Sequence, residues 1–200
     1  MLIRLQNDAG PTRRWSLGAL PAWVVATLYL TSYLLLDYQS SLFPVTPLEV
    51  TPWNPQTGLS FALIILFGRS FIPLLLVAPL MSDVIIGRLP QPLWVEALIV
   101  PVLGCTYAAA TLVLLHPRLA FNRELASRRD VTLLLLVGVA SAGAVAFVCA
   151  TILVLTGVLP MAQYGTSTLS YWLSDTIGIL VVTPFLLTVL SAPRLPRRVG

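Results

Sequence analysis

The turn Trp53-Asn54-Pro55-Gln56-Thr57-Gly58 and the carboxylates Asp83, Glu96 and Asp175 carry most of the chemistry this sequence can offer. Asn is a preferred helix N-cap and Pro is favoured at the first helical position, so Asn54-Pro55 marks a helix start. A helix N-terminus presents free N–H groups and a partial positive charge, which suits an anion. The carboxylates suit a cation, so both kinds of ligand stay open. In the sixth apolar stretch Tyr171, Trp172, Asp175 and Gly178 recur at i, i+3 and i+4 spacing and so share a helix face. That face offers an aromatic plane, a carboxylate and room beside a glycine. Trp94 and Glu96 place similar chemistry on the fourth stretch, although Trp94 and Tyr171 read more simply as interface anchors. Asp83 lies near the C-terminal end of its stretch, where an acid opposes the helix dipole, and it therefore needs a specific partner. Asp37 and Glu49 read as solvated. Asp83, Glu96 and Asp175 are placed at a similar shallow depth. The candidate ligand- or signal-binding set is Trp53, Asn54, Asp83, Trp172 and Asp175.

Other chemistry is excluded by what the chain lacks. His116 is the single histidine, it ends an apolar stretch as Leu115-His116-Pro117, and it reads as a complement to the helix dipole. There is no pair of histidines for a haem and no Cys–His metal spacing. There is no Walker loop and no dinucleotide fingerprint. Cys105 and Cys149 sit within apolar runs and read as packing residues. No cofactor, metal or nucleic-acid partner is expected. Asp83 and Asp175 could in principle share a proton as an aspartyl dyad, but the glycine-flanked contexts of intramembrane aspartyl proteases are absent, and the chain reads as no enzyme.

The elements that must position these residues are membrane helices. Of 200 residues, 57% are hydrophobic and only 10% are charged, where a soluble domain carries about 25% charged residues. Lipid is the solvent that fits such a surface. The reading is an all-α polytopic bundle of about six transmembrane helices, spanning 17–36, 55–68, 70–87, 93–115, 131–159 and 171–192. Residues 1–16 form a cytoplasmic N-terminal segment, 17–192 the membrane domain and 193–200 a cytoplasmic tail. Eleven of the twelve basic residues, all arginines, fall on one side of this arrangement, and only Arg88 falls on the other. Retention of positive charge then makes both termini cytoplasmic. The link 118–130 is charged and suits a short interfacial helix. Gly138, Ser141, Ala142, Gly143, Ala144 and Ala146 make the fifth span a close-packing one, in the bundle interior or at a dimer seam.

The second span is short. Pro55 to Gly68 covers 14 residues, about 21 Å at 1.5 Å per residue, against a hydrocarbon core of about 30 Å. Arg69 must reach water, so the helix start lies below the opposite surface. Backbone at that depth has to be surrounded by protein or to line a cavity. The expectation is a recess on the periplasmic side around Trp53 and Asn54.

Two stretches resemble a known family. Trp53-Asn54-Pro55-Gln56-Thr57-Gly58-Leu59-Ser60, continuing to Leu66-Phe67-Gly68-Arg69, is similar to an aromatic–proline–glycine start followed by an apolar helix ending in Gly-Arg. Trp172-Leu173-Ser174-Asp175-Thr176-Ile177-Gly178-Ile179-Leu180, with Pro184 beyond, is similar to a tryptophan–aspartate–glycine–proline signature. In this order they resemble the bacterial membrane-associated sensor domain of the first MASE type, over about Trp53 to Pro184. The matched motif residues are Trp53, Pro55, Gly58, Gly68, Arg69, Trp172, Asp175, Gly178 and Pro184. The resemblance implies a sensory domain of the bacterial inner membrane that relays to a kinase or cyclase output module. Family members have about eight helices, so two helices and an output domain are expected to be absent after Ala192. Expected partners are the lipid bilayer, a cytoplasmic output module and a membrane partner protein or second copy. The alternative reading is a small substrate-binding transporter subunit, for which a broken helix would also serve.

Overall fold

In the computed structural model, residues 20–41, 53–86 and 92–191 are described. Glu49, Arg88, the arginines of segments 1–16 and 193–200, and those two segments themselves lie outside the described residues. Among the described residues, six α-helices follow in chain order: α1 (Ala22–Ser41), α2 (Pro55–Phe67), α3 (Leu74–Ile86), α4 (Leu93–Leu114), α5 (Arg128–Leu155) and α6 (Tyr164–Ser191). No strand occurs among the described residues. The fold class is the all-α bundle expected from sequence. Among the described residues, four segments are long and apolar enough to cross a membrane: Arg69–Ile86, which holds α3, and α4, α5 and α6. α2 is a shorter apolar helix of 13 residues. α1 has 20 residues but closes on the polar run Asp37-Tyr38-Gln39-Ser40-Ser41.

Helix bounds follow local chemistry more closely than hydropathy. α1 starts at Ala22 because Pro21 initiates it, its carbonyl accepting from the N–H of Val24 at 3.0 Å and of Val25 at 3.3 Å; the expected start at 17 lies outside the described residues. α5 starts at Arg128 through a capping box in which Ser127 and Asp130 satisfy each other's backbone N–H groups. It stops at Leu155, where Gly157 takes φ 75 and the N–H groups of Val158 and Leu159 return to the Leu153 carbonyl. α6 begins seven residues earlier than expected. Its first turns are polar, and their hydroxyls bond to their own helix, Thr166 to the Gln163 carbonyl and Thr168 to that of Tyr164. The link before α5 forms no interfacial α-helix. It is a 3-10 turn, Pro117–Leu119, followed by a bend with Ala120 and Leu125 at positive φ.

Of the two 13-residue helices, α2 and α3, α2 is the more enclosed. Ten of the 13 residues of α2 are buried, and it packs against α1, α4 and above all α6. α5 closes the bundle against α4 and α6, while α3 lies against α1 and α4. Phe61, Ile64 and Ile65 of α2 are fully buried together with Val95 and Leu114 of α4 and Ile179 and Leu187 of α6. α2 ends at Gly68, whose φ of 93 and ψ of −178 lie in a region open essentially to glycine. Arg69 then turns outward and is exposed. Arg123, from the link before α5, donates to the Leu66 carbonyl at 3.4 Å and so places a cation at the C-terminus of α2.

Candidate functional site

The first turn of α2 is where the polar side chains converge. Asn54 stands at the N-cap position, but its side chain makes no cap hydrogen bond. Its carbonyl accepts from the Thr57 N–H at 3.2 Å, and its backbone N–H donates to the Ser174 carbonyl of α6 at 3.1 Å. The side-chain amide is thereby free to cross to α6, where Nδ2 donates to Asp175 Oδ1 at 2.6 Å. Thr57 Oγ1 donates to the same oxygen at 3.1 Å. The Tyr107 hydroxyl, from α4, donates to Asp175 Oδ2. Asp175 is 3% exposed, and three donors from two other helices hold its carboxylate. A negative charge at the N-terminus of α2 also complements that helix's dipole. The anion that the helix start could have taken from a ligand is therefore supplied by the chain itself.

Two glycines make this approach possible. A Cβ on Gly178 would lie 2.6 Å from the Asn54 carbonyl carbon, and one on Gly58 would lie 2.8 Å from the Val182 Cβ. Both distances are shorter than side chains tolerate, so the α2 and α6 backbones touch through Gly58 and Gly178. One turn further, Thr183 Oγ1 of α6 donates to the Gly58 carbonyl at 2.9 Å. Pro55 and Gly58 are buried in this contact, and Pro184 follows Thr183 inside α6.

The other flank of the same turn holds a second carboxylate. Asp37, read from sequence as solvated, is only partly exposed near the end of α1. Gln56 Nε2 donates to its Oδ1 at 2.7 Å, and Ser82 Oγ of α3 donates to its Oδ2 at 2.5 Å. The solvated reading fails because α1 continues to Ser41, which carries Asp37 inward against α2. Below it, Ser60 Oγ donates to the Gln56 carbonyl at 2.8 Å and bonds the Tyr29 hydroxyl at 2.8 Å. Residues of α2 thus hold one carboxylate on each side and tie α1, α3, α4 and α6 together.

Of the five candidate residues, the structure joins Asn54 and Asp175 directly. Trp53 precedes them and is 40% exposed. Asp83 is half-buried beside Ser82 and lies within electrostatic range of Glu96 and Asp37; no described hydrogen bond links it to Asp175. Trp172 faces elsewhere. Its Nε1 donates to the Val139 carbonyl of α5 at 3.0 Å, and its ring lines an apolar groove with Leu135, Leu136 and Gly143. The expectation that Trp172 and Asp175 share one working face is corrected: positions three apart differ by about 60° around a helix, enough here to meet different neighbours. Along the chain, Asp175 lies three turns into α6, because that helix begins at Tyr164. Thr57, Tyr107, Gln56, Asp37 and Ser82 were not selected from sequence. The available signal was a polar atom within an apolar run, which in lipid needs an internal partner.

The family model described as MASE1 matches residues 18–198. No curated protein and no solved structure matches the chain.

Proposed function

Starting from the chain's membership of the MASE1 family of membrane sensory domains, we propose that it receives a signal at the first turn of α2 and relays it through α6 to a cytoplasmic kinase or cyclase output module. In this reading the chain crosses the bacterial inner membrane six times. The arginine-bearing end and both termini lie in the cytoplasm, as charge retention favours. α2 starts about 20 Å from that end, about 10 Å beneath the opposite face of a 30 Å hydrocarbon core, with Trp53 at its entrance.

The observation that carries the proposal is the 2.6 Å bond from Asn54, at the start of buried α2, to Asp175 of α6, the helix against which α2 packs most extensively. A ligand or membrane partner that competes for Asn54, Thr57 or Asp175 would loosen α2 from α6. It would favour one of two helix arrangements by its difference in affinity for them. Asp83 and Trp53 stand beside the entrance as the further candidate contacts. Trp172 fits the relay rather than the reception, because it joins α6 to α5.

The test is a fusion of the full chain to a diguanylate cyclase output, with cyclic dinucleotide measured in cells. Asp175→Asn should shift output at least fivefold at unchanged membrane abundance. An unchanged output with correct insertion would refute the site. The buried broken helix also suits a transporter subunit. Small-molecule flux in reconstituted vesicles, with no effect of Asp175→Asn on a fused output, would favour that second reading.

A further inference from the structure

We propose that the groove between α5 and α6 holds one anionic phospholipid, its acyl chain against Trp172 and its phosphate at Arg128 and Arg129. Leu135, Leu136, Val139, Ala140 and Gly143 of α5 line this groove together with Trp172 of α6. It exists because Ala140 and Gly143 bring almost no side chain to the surface of α5, while Leu135 and Leu136 stand out from it. The one polar group among these side chains is the Trp172 indole N–H, and it already donates to the Val139 carbonyl at 3.0 Å. An occupant must therefore be apolar along its length, and charge can recognise only its end. The inference uses α5 and α6 alone and stands whether or not the first turn of α2 receives a signal.

Positive charge stands at one end of the groove. Arg128 precedes Leu135 by seven residues, and Arg129 precedes Leu136 by seven; seven residues make two turns and return to within about 20° of the same face. Both arginines are exposed in the first turn of α5. Asp130 beside them is within electrostatic range of Arg129, but its carboxylate is turned into its own loop. Oδ1 accepts from the Asn122 N–H at 3.1 Å, and Oδ2 accepts from the Ser127 N–H at 3.2 Å and the Ser127 hydroxyl at 2.6 Å. One acid beside two arginines leaves net positive charge, and a guanidinium binds phosphate oxygens in a bidentate fork. Along the axis of α5, Leu135 lies about 10 Å and Gly143 about 22 Å beyond Arg128. The headgroup layer is about 20 Å from the bilayer midplane, so a chain hung from a phosphate at the arginines runs the length of the groove and ends near Trp172. A zwitterionic lipid fits the groove equally but carries a cation that offsets its phosphate. A second copy docked symmetrically on this face would bring its own arginines to the same level, where like charges repel.

The experiment places the full chain in phosphatidylcholine vesicles and titrates in phosphatidylglycerol or phosphatidylcholine brominated near the chain end, which quenches tryptophan fluorescence on contact. Subtracting the quenching seen in Trp172→Phe isolates the signal of Trp172. Brominated phosphatidylglycerol should quench Trp172 at concentrations about tenfold lower than brominated phosphatidylcholine, because each arginine favours the anionic headgroup. Arg128→Gln combined with Arg129→Gln should bring the two curves together. Ala140→Phe, which fills the groove and keeps both arginines, should remove the saturable quenching by phosphatidylglycerol. Equal quenching by both lipids in the unaltered chain would overturn the proposal, as for lipid in ordinary contact with any helix surface. A preference that survives loss of both arginines would also overturn it, as would a Trp172 shielded from both lipids in a dimer crosslinked through α5. Should a variant fail to insert, the comparison of the two lipids on the unaltered chain decides.

Discussion

The two faces of α6 are built from similar materials and do different work. One face carries Asp175, Gly178 and Thr183 and meets α2. The other carries Trp172 and Ile179 and meets α5, the indole at Val139 and Ile179 Cγ2 at Gly138. Each contact uses a glycine and a hydrogen bond to a backbone carbonyl. On the α2 face backbone meets backbone, and the side chains of Asn54 and Thr57 add hydrogen bonds to a buried carboxylate. On the α5 face a side-chain tip meets backbone beside a half-open apolar groove, where 39% of Trp172 remains exposed. A side-chain tip can move aside, whereas two touching backbones cannot without separating the helices. The α2 face should therefore be rigid and intolerant, and the α5 face adjustable.

The largest effect belongs to Gly178→Val. A Cβ there meets the Asn54 carbonyl carbon at 2.6 Å, and overpacking against backbone should cost about 3 kcal/mol or more. Loss of monodisperse protein after solubilisation is the expected readout. Asp175→Ala comes next. It strands the donors of Asn54, Thr57 and Tyr107 and should cost about 2–3 kcal/mol, read as a lowered Tm in nanodiscs. Trp172→Phe keeps the ring but loses the bond to Val139, for about 0.5–1 kcal/mol on the same assay. Smallest is Gly143→Ala, whose added Cβ would lie 3.3 Å from Trp172 Nε1. The indole can tilt, so the cost should stay below about 0.5 kcal/mol. If Gly143→Ala proved as damaging as Gly178→Val, the contrast between the two faces would collapse.

The parts of this arrangement legible in the sequence are those fixed by local chemistry. Asn54-Pro55 announced a helix start, Gly68-Arg69 announced its end, and the interval between them was too short for a full crossing. Those features match the observed bounds of α2, Pro55–Phe67, to within one residue. What escaped depends on neighbours. Thr57 and Tyr107 are ordinary residues in apolar runs until α4 and α6 set a carboxylate between them. Asp37 looked solvated because hydropathy ends α1 at Leu36, while the helix itself runs to Ser41. Trp172 and Asp175 fall on one broad face by spacing, and only the positions of α2 and α5 divide that face. Hydropathy also missed the polar first turns of α6, where hydroxyls satisfy their own helix.

The docking of the α2 start on α6 is tested most directly by a double-mutant cycle of Asn54→Ala and Asp175→Ala, with unfolding free energy measured in nanodiscs. For a direct bond, the two losses should overlap with a coupling above about 0.5 kcal/mol. Losses that simply add within about 0.3 kcal/mol would mean that the two side chains do not meet, and α2 would no longer be a half-helix anchored through that carboxylate.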